Sequence, residues 1–382
     1  MNGLRKYDVA AYLWPAYHFE PRAEGFWPER DGEWYTVRRG TPRFPGHDMP
    51  RVPLLGYQDE ADPEVMRQHV RLALDHGVNI FIVDWYWYDQ APCFERQLNE
   101  GLIPALEGTA ARFYLMWANH EATTLWNMHT DEDRPVWTAR VSRSELEPLF
   151  DRLVERYLSL DVYYRLEDRP VLSLYDFANF EAGLGGARAA RDALGWMRRR
   201  AVEHGLPGLH LQTIARRDGR RARGALGADA GFDSATSYQF VHDARGEGDY
   251  VGWAAKAMAA WDDHERAYGR YFPQVSVGWD NTQRMPSART AVTGATPDAF
   301  EACLWRARRY LDARPDCPPL VVINSWNEWT EGSYLLPDLR WGYRYLRAVR
   351  NVFGGPAAAA LNRGETPRRG RATPDCCPGS NP

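Results

Sequence analysis

Two carboxylates three residues apart, Glu328 and Glu331, lie in the segment Ile323-Asn324-Ser325-Trp326-Asn327-Glu328-Trp329-Thr330-Glu331-Gly332-Ser333. A pair of carboxyls at one cleft can make or break a glycosidic bond. One protonates the leaving oxygen, and the other attacks or activates the attacking group. In a straight strand, residues three apart point to opposite faces, but where a strand turns into a loop the chain curls and both side chains can reach one cleft. The apolar run 319–323 just before them reads as a buried strand. An apolar strand followed by an acidic, aromatic turn is the pattern of the mouth of an α/β barrel. A structural reading stays open, in which Glu331 caps a helix and Glu328 pairs with an arginine.

Other strand ends carry side chains suited to lining such a cleft. Asp84, Trp85 and Tyr86 leave the run 80–87, and Asn119 and His120 end the run 113–119. Tyr12 and Trp14, Asp176, Tyr238, Trp279 and Asp280, and Trp326 and Asn327 occupy equivalent positions. Flat aromatic rings cover the axial C–H face of a sugar while an indole N–H or a phenol still hydrogen-bonds. These residues are therefore the expected substrate-binding set, with Glu328 and Glu331 catalytic. Each can equally be a core or capping residue. No HxH, HExxH or clustered Cys/His spacing appears, so neither a metal nor a cofactor is expected. The acidic triplet Asp131-Glu132-Asp133 reads as a solvated loop, and no GxSxG nucleophile motif occurs.

The elements that must position these groups can be counted. Eight apolar runs (9–14, 80–87, 113–119, 170–176, 209–215, 233–239, 274–280 and 319–327) are each followed by polar or aromatic residues. Between them lie helical signals. Asp62-Pro63-Glu64 reads as N-cap, N1 proline and first-turn acid of a helix reaching about 76, closed by Gly77. Thr296-Pro297-Asp298 opens another over 300–311, and further helices are expected over 144–158, 187–204, 250–268 and 339–352. The fifth unit, 216–231, is short and rich in Arg and Gly, so its helix is expected to be stunted.

Eight strands alternating with helices predict a single (β/α)8 TIM barrel of the α/β class. The rival doubly wound sheet would carry a glycine-rich phosphate turn after an early strand, and Pro15-Ala16-Tyr17-His18 stands there instead. Long βα loops after strands 1 (15–61) and 3 (120–143) fall on the face where a barrel builds its site. Residues 1–353 are read as one catalytic domain and 354–382, rich in Pro, Gly, Ala and Arg, as a disordered tail.

Composition narrows the classes further. A net charge of −4 over 382 residues argues against a nucleic-acid binder, and the basic cluster 216–223 reads as a solvated loop. Sixteen tryptophans fit an aromatic-lined cleft, though core packing uses them as well. The five cysteines are odd in number and imply no disulfide framework. No apolar stretch approaches a membrane span, and no secretory leader precedes the first strand, so a cytoplasmic location is expected. Carbohydrate is the one partner the sequence suggests, and it sets no oligomeric state.

The motif around Glu328 and Glu331 resembles the signature of glycoside hydrolase family 99 and its family 99-like, or WbsX-like, relatives. Supporting blocks are Ala11-Tyr12-Leu13-Trp14-Pro15, Pro42-Arg43-Phe44-Pro45-Gly46-His47, Ile82-Val83-Asp84-Trp85-Tyr86-Trp87, Met116-Trp117-Ala118-Asn119-His120 and Val277-Gly278-Trp279-Asp280. The resemblance runs from about residue 8 to 353. It implies a barrel that cleaves α-mannosides internally with retention of configuration. Glu328 would be the base on the sugar's own 2-hydroxyl, closing a 1,2-anhydro intermediate, and Glu331 the general acid and then base. Leu336 stands before Pro337-Asp338 where relatives often carry a glutamate. The WbsX-like relatives also imply a second reading, a glycosyltransferase or transglycosylase of surface-polysaccharide assembly. A third is a carbohydrate-binding barrel without turnover.

Overall fold

The computed structural model describes residues 6–126, 130, 132–217, 230–285, 287–288 and 291–354. Each of the eight apolar runs contains a strand. We label them β1 (Asp8–Leu13), β2 (Ile80–Tyr88), β3 (Arg112–Trp117), β4 (Arg169–Leu174), β5 (His210–Ile214), β6 (Ser234–Thr236), β7 (Tyr271–Phe272 with Gln274–Ser276) and β8 (Leu320–Asn324). Neighbours pair in parallel around the series, from β1 with β2 (Ala10 opposite Ile80) to β8 with β1 (Leu320 opposite Asp8). Strand β7 is split at Pro273, which has no N–H for the ladder. Its first half pairs with β6 and its second with β8, so the barrel closes across the break.

Strands buried on both faces need apolar side chains almost continuously, which is why the runs were legible. β1 and β8 are buried along nearly their whole length, with Val9, Ala10, Ala11, Val321, Val322 and Ile323 fully enclosed. The helices pack outside. Asp62 caps Pro63–Asp75 by accepting from Glu64 N at 2.8 Å, and Thr296 caps Pro297–Asp312. Ser142 and Glu145 form a reciprocal capping box on Arg143–Leu153.

Several boundaries differ from expectation. The helix expected over 250–268 divides into Tyr250–Met258 and Trp261–Tyr268, and the last helix begins only at Arg344. Asp338 delays it by accepting from Trp341 N in a turn of its own. A helical stretch over Gln97–Leu102 and Ile103–Leu106, and a helix over Phe177–Leu184, were not expected. The second was hidden because Asp176, read as a strand end, is its N-cap. Most of the fifth unit's expected helix, and the tail from 355, lie outside the described residues. Among the described residues no helix is long and apolar enough to cross a membrane.

Candidate active site

Glu328 follows β8 in a two-residue strand, Asn327–Glu328, that pairs antiparallel with Ser333–Tyr334. The one-turn helix Trp329–Glu331 between them curls the chain, so that both glutamates face the barrel mouth. The turn closes on Gly332 with φ +63°, where a Cβ would lie 2.7 Å from the Arg51 guanidinium and 3.0 Å from Asp280 Cβ. Only glycine fits both the conformation and that approach.

One guanidinium ties the pair together. Arg284, from the loop after β7, donates to Glu331 Oε1 at 2.8 Å and to Glu328 Oε1 at 3.2 Å. Its other bonds go to Glu33, from Nε at 2.8 Å and Nη2 at 3.0 Å. Glu33 is fully buried and also accepts from Trp14 Nε1 at 2.7 Å. Three carboxyls thus share one cation, so the cluster cannot hold all of them ionised cheaply. The two glutamates respond differently. Burial raises Glu328, but Arg284 and the Tyr238 hydroxyl oppose it. Glu331 is pushed well above the usual carboxylate range by burial and then by the Glu328 charge, with Arg284 opposing. Both are raised, Glu331 the further, so of the two Glu331 holds its proton more firmly.

Tyr238, just after β6, donates at 2.8 Å to Glu328 Oε2 and also stands 2.9 Å from Asp84 Oδ2. Its ring rests on that of Tyr12, 4.6 Å between centroids, inside the barrel. From there an aromatic arc runs around the mouth: Tyr238 to Tyr175 at 5.4 Å, Tyr175 to His120 at 5.1 Å, His120 to Tyr86 at 5.7 Å and Tyr86 to Trp14 at 5.6 Å. The Arg216 guanidinium lies 4.1 Å from the Tyr175 ring centre. Tyr12, Trp14, Asp84, Tyr86, His120 and Tyr238 are thus brought together with Glu328 and Glu331.

Other residues of the expected set serve the frame. Asn119 bonds both backbone groups of Asp176, accepting from its N at 2.8 Å and donating to its O at 2.7 Å. Asn327 does the same for Trp14, at 2.8 Å each way, and donates to Glu60 Oε2 at 2.7 Å. The two asparagines clamp the chain where strands leave the barrel. Asp176 caps its helix through Asn179 N at 2.9 Å. Asp280 accepts from Arg51 at 2.7 Å, meets His47 Nε2 at 2.7 Å and accepts from the Thr282 hydroxyl at 2.6 Å. It joins the loop after β7 to the loop after β1. Trp279 is half-buried against Gly246, where a Cβ would lie 2.2 Å from the indole.

Two tryptophans face away from the mouth. Successive strand residues alternate sides, so Trp85 points outward between the inward Asp84 and Tyr86. Its indole donates to Glu95 at 2.8 Å and stacks on Trp87. Trp326 is enclosed between the barrel and the helix Pro63–Asp75, against Phe81 and His69. Sequence reasoning missed Glu33, Arg284 and Glu60. The last is a buried carboxyl that burial raises to about 8, opposed by bonds from Gln97 and Asn327. Glu33 sits beside Trp34-Tyr35 in the long first loop, a weak acidic–aromatic signal; Arg284 had none. Beyond Gly332 lies a cavity of ≈ 180 Å³ lined by Phe44, His47, Arg51, Asp280 and Trp341 among others. No group of three or more potential metal ligands occurs among the described residues.

Known proteins share this architecture. The sequence model of the family described as Glycosyltransferase WbsX matches residues 9–349. The uncharacterized protein WxcX of Xanthomonas campestris pv. campestris is 30% identical over 362 residues. That alignment takes in 90% of this chain and 49% of the relative, so the chain spans about half the length of the curated relatives it matches. The GH99 endo-alpha-mannosidase from Bacteroides thetaiotaomicron superimposes with a TM-score of 0.57 at 15% identity, covering 93% of this chain and 98% of that one. A glycoside hydrolase-like protein gives 0.60 at 15% identity, covering 92% and 96%. At these identities the likeness is one of fold, a family 99-type barrel. With almost the whole barrel matched by the family's sequence model, the chain belongs to the WbsX family.

Proposed function

We propose that the chain is a retaining glycoside hydrolase of α-linked, mannose-like oligosaccharides or polysaccharides, with Glu328 and Glu331 as its catalytic pair. The observation that carries the reading is the division within that pair. Both carboxyls sit on one guanidinium at the C-terminal mouth of the barrel, yet Glu328 receives two donors and Glu331 one. Glu331 is suited to arrive protonated and Glu328 ionised. In the first step Glu331 gives its proton to the glycosidic oxygen as the C1–O bond breaks. Glu328 takes the proton of the 2-hydroxyl, whose oxygen closes on C1. In the second step Glu331 takes a proton from water, whose oxygen adds to C1 as the C1–O2 bond breaks, and Glu328 returns its proton to O2. Because no protein–sugar bond forms, the usual nucleophile separation of about 5–5.5 Å need not hold.

The solved barrel from Bacteroides is named an endo-α-mannosidase, which supports the substrate class. The aromatic arc from Trp14 to Tyr238 supplies the stacking surface, and its half-buried members Tyr175 and His120 are where a sugar chain would enter. The family's own description favours a second reading, transfer of a sugar during polysaccharide assembly. The same pair would then activate an acceptor hydroxyl in place of water.

Product analysis separates the two. The protein is incubated with α-linked oligosaccharides in water enriched in heavy oxygen, and the products are weighed by mass spectrometry. A labelled reducing sugar, lost in Glu331→Gln, is the hydrolase result. No cleavage, but longer products once a nucleotide sugar is supplied, would replace it with the transferase reading.

A further inference from the structure

Tyr238 stands between two carboxyl oxygens, 2.9 Å from Asp84 Oδ2 and 2.8 Å from Glu328 Oε2. A phenol owns one proton and can donate it in one direction only. Two oxygens that close are held together only by a proton between them, so the second contact needs a proton from a carboxyl.

The surroundings say which carboxyl supplies it. Glu328 accepts from Arg284 as well as from Tyr238, so its negative charge is met twice. Asp84 is 2% exposed, and among the described residues its Oδ1 is buried without a hydrogen-bond partner. No ion pair is formed by Asp84 among the described residues. The titratable groups around it are Tyr12 from β1, Tyr86 from β2, Tyr238 after β6, and Glu328 and Glu331 after β8. All are neutral or acidic, and Arg284 meets Glu328 through Oε1, the oxygen that Tyr238 does not bond. An ionised Asp84 would be a bare buried charge facing a second one.

We infer that Asp84 is held as the neutral acid, donating to the Tyr238 oxygen while Tyr238 donates to Glu328, so that Asp84 is a positioning residue setting the basicity of Glu328. Its role at Glu328 rests on the hydrolase reading above; the presence of the proton does not. Burial, and then the Glu328 charge, push the Asp84 carboxyl well above the usual carboxylate range. A donor that itself accepts a hydrogen bond is a stronger donor. The neutral acid thereby strengthens the Tyr238 bond, which opposes the rise that burial imposes on Glu328. If Asp84 loses its proton, the Tyr238 hydroxyl is drawn back towards it, Glu328 gives up a donor, and turnover falls on the alkaline side.

The test uses Asp84→Asn, whose amide N–H donates to Tyr238 as the neutral acid would, and Tyr238→Phe, which removes the bridge. Infrared difference spectra of the whole protein at neutral pH should show, within the protonated-carboxyl absorption to which Glu331 and Glu60 also contribute, one component lost in Asp84→Asn and shifted in Tyr238→Phe. That readout requires no substrate. On a cleaved α-glycoside, the turnover of Asp84→Asn, taken relative to its own maximum, should hold to higher pH than that of wild type. Tyr238→Phe should lose about a hundredfold across the profile. A carboxyl band unchanged in Asp84→Asn would overturn the assignment of the proton. A component removed by Asp84→Asn with the alkaline limb unmoved would overturn the positioning role. Failure of wild type to cleave any glycoside would defeat the hydrolase reading, while the infrared result still decides whether Asp84 holds the proton.

Discussion

Asp84, inside β2, and Asp280, in the loop after β7, are about equally buried aspartates, and they behave in opposite ways. Asp280 is met by the Arg51 guanidinium, by His47 and by Thr282, and it is lowered to about 2: burial alone would raise it, but Arg51, then Thr282 and His47, outweigh that. Asp84 meets a phenol and, beyond it, another acid, and it is pushed up. The first fastens two loops as a permanent anion. The second sits beside Tyr238, one hydrogen bond from Glu328, and favours its proton. Residue type and burial are the same in both; what differs is whether a neighbouring loop brings a cation. Of these two aspartates, the one that meets a cation serves the scaffold, and the one that meets none favours its proton.

The comparison can be pressed from its largest consequence downward. Replacing Glu331 by Gln should cost about a thousandfold or more in turnover on ordinary leaving groups, with activity partly restored on an activated one. Glu328→Gln should fail with both kinds of leaving group. Steady-state kinetics on matched substrates checks this, and equal activity of the double variant and wild type would remove the pair from the mechanism.

At Asp280 the expected effect is on stability. Asp280→Asn leaves Arg51 buried beside a neutral amide, and should cost about 3 kcal/mol in denaturant unfolding. The pH dependence has a definite sign. The folded carboxyl lies at about 2, below its ordinary value of 3.8. Its contribution, about 2 kcal/mol, is therefore complete above the ordinary value and lost as pH falls through the folded one. Asp280→Asn should be flatter than wild type over that interval. Asp84 should give the opposite sign. Its carboxyl is raised on folding, so its contribution is complete below the ordinary carboxylate range and declines as pH climbs above it. Melting curves of Asp84→Asn should gain on wild type towards alkaline pH, and a parallel pair of profiles would count against the distinction.

Smaller effects test the frame. Trp85→Phe removes the bond to Glu95 on the outward side of β2 and should cost about 1 kcal/mol with KM unchanged. A raised KM would return Trp85 to the cleft. A third aspartate sets the lower limit. Asp48 pairs with Arg340 at 3.1 Å with both side chains around half exposed, and Arg340→Ala should shift stability by less than about 0.5 kcal/mol.

How far the site was legible depends on the range of the forces that make it. All eight strands and the caps at Asp62 and Thr296 could be read, because continuous apolar runs and N-cap chemistry act within a few residues. The Glu328-Trp329-Thr330-Glu331-Gly332 turn could be found for the same reason. Trp85 and Trp326 were grouped with the cleft because strand alternation was not carried past the barrel's rim. Asp176 was read as a strand end because its capping of the next helix was not recognised.

What the sequence by itself determined is the order of strands and helices, the turn that brings two glutamates to one face, and the aromatic residues at the strand ends. The tertiary structure alone decided which partners each buried acid meets. Glu33 and Arg284 are 251 positions apart, and Tyr238 lies 154 from Asp84 and 90 from Glu328. Closing the barrel brings them within hydrogen-bond reach, and burial there makes each missing or added partner decide where a proton rests. That is a property of neighbours in space, which no local spacing along the chain encodes.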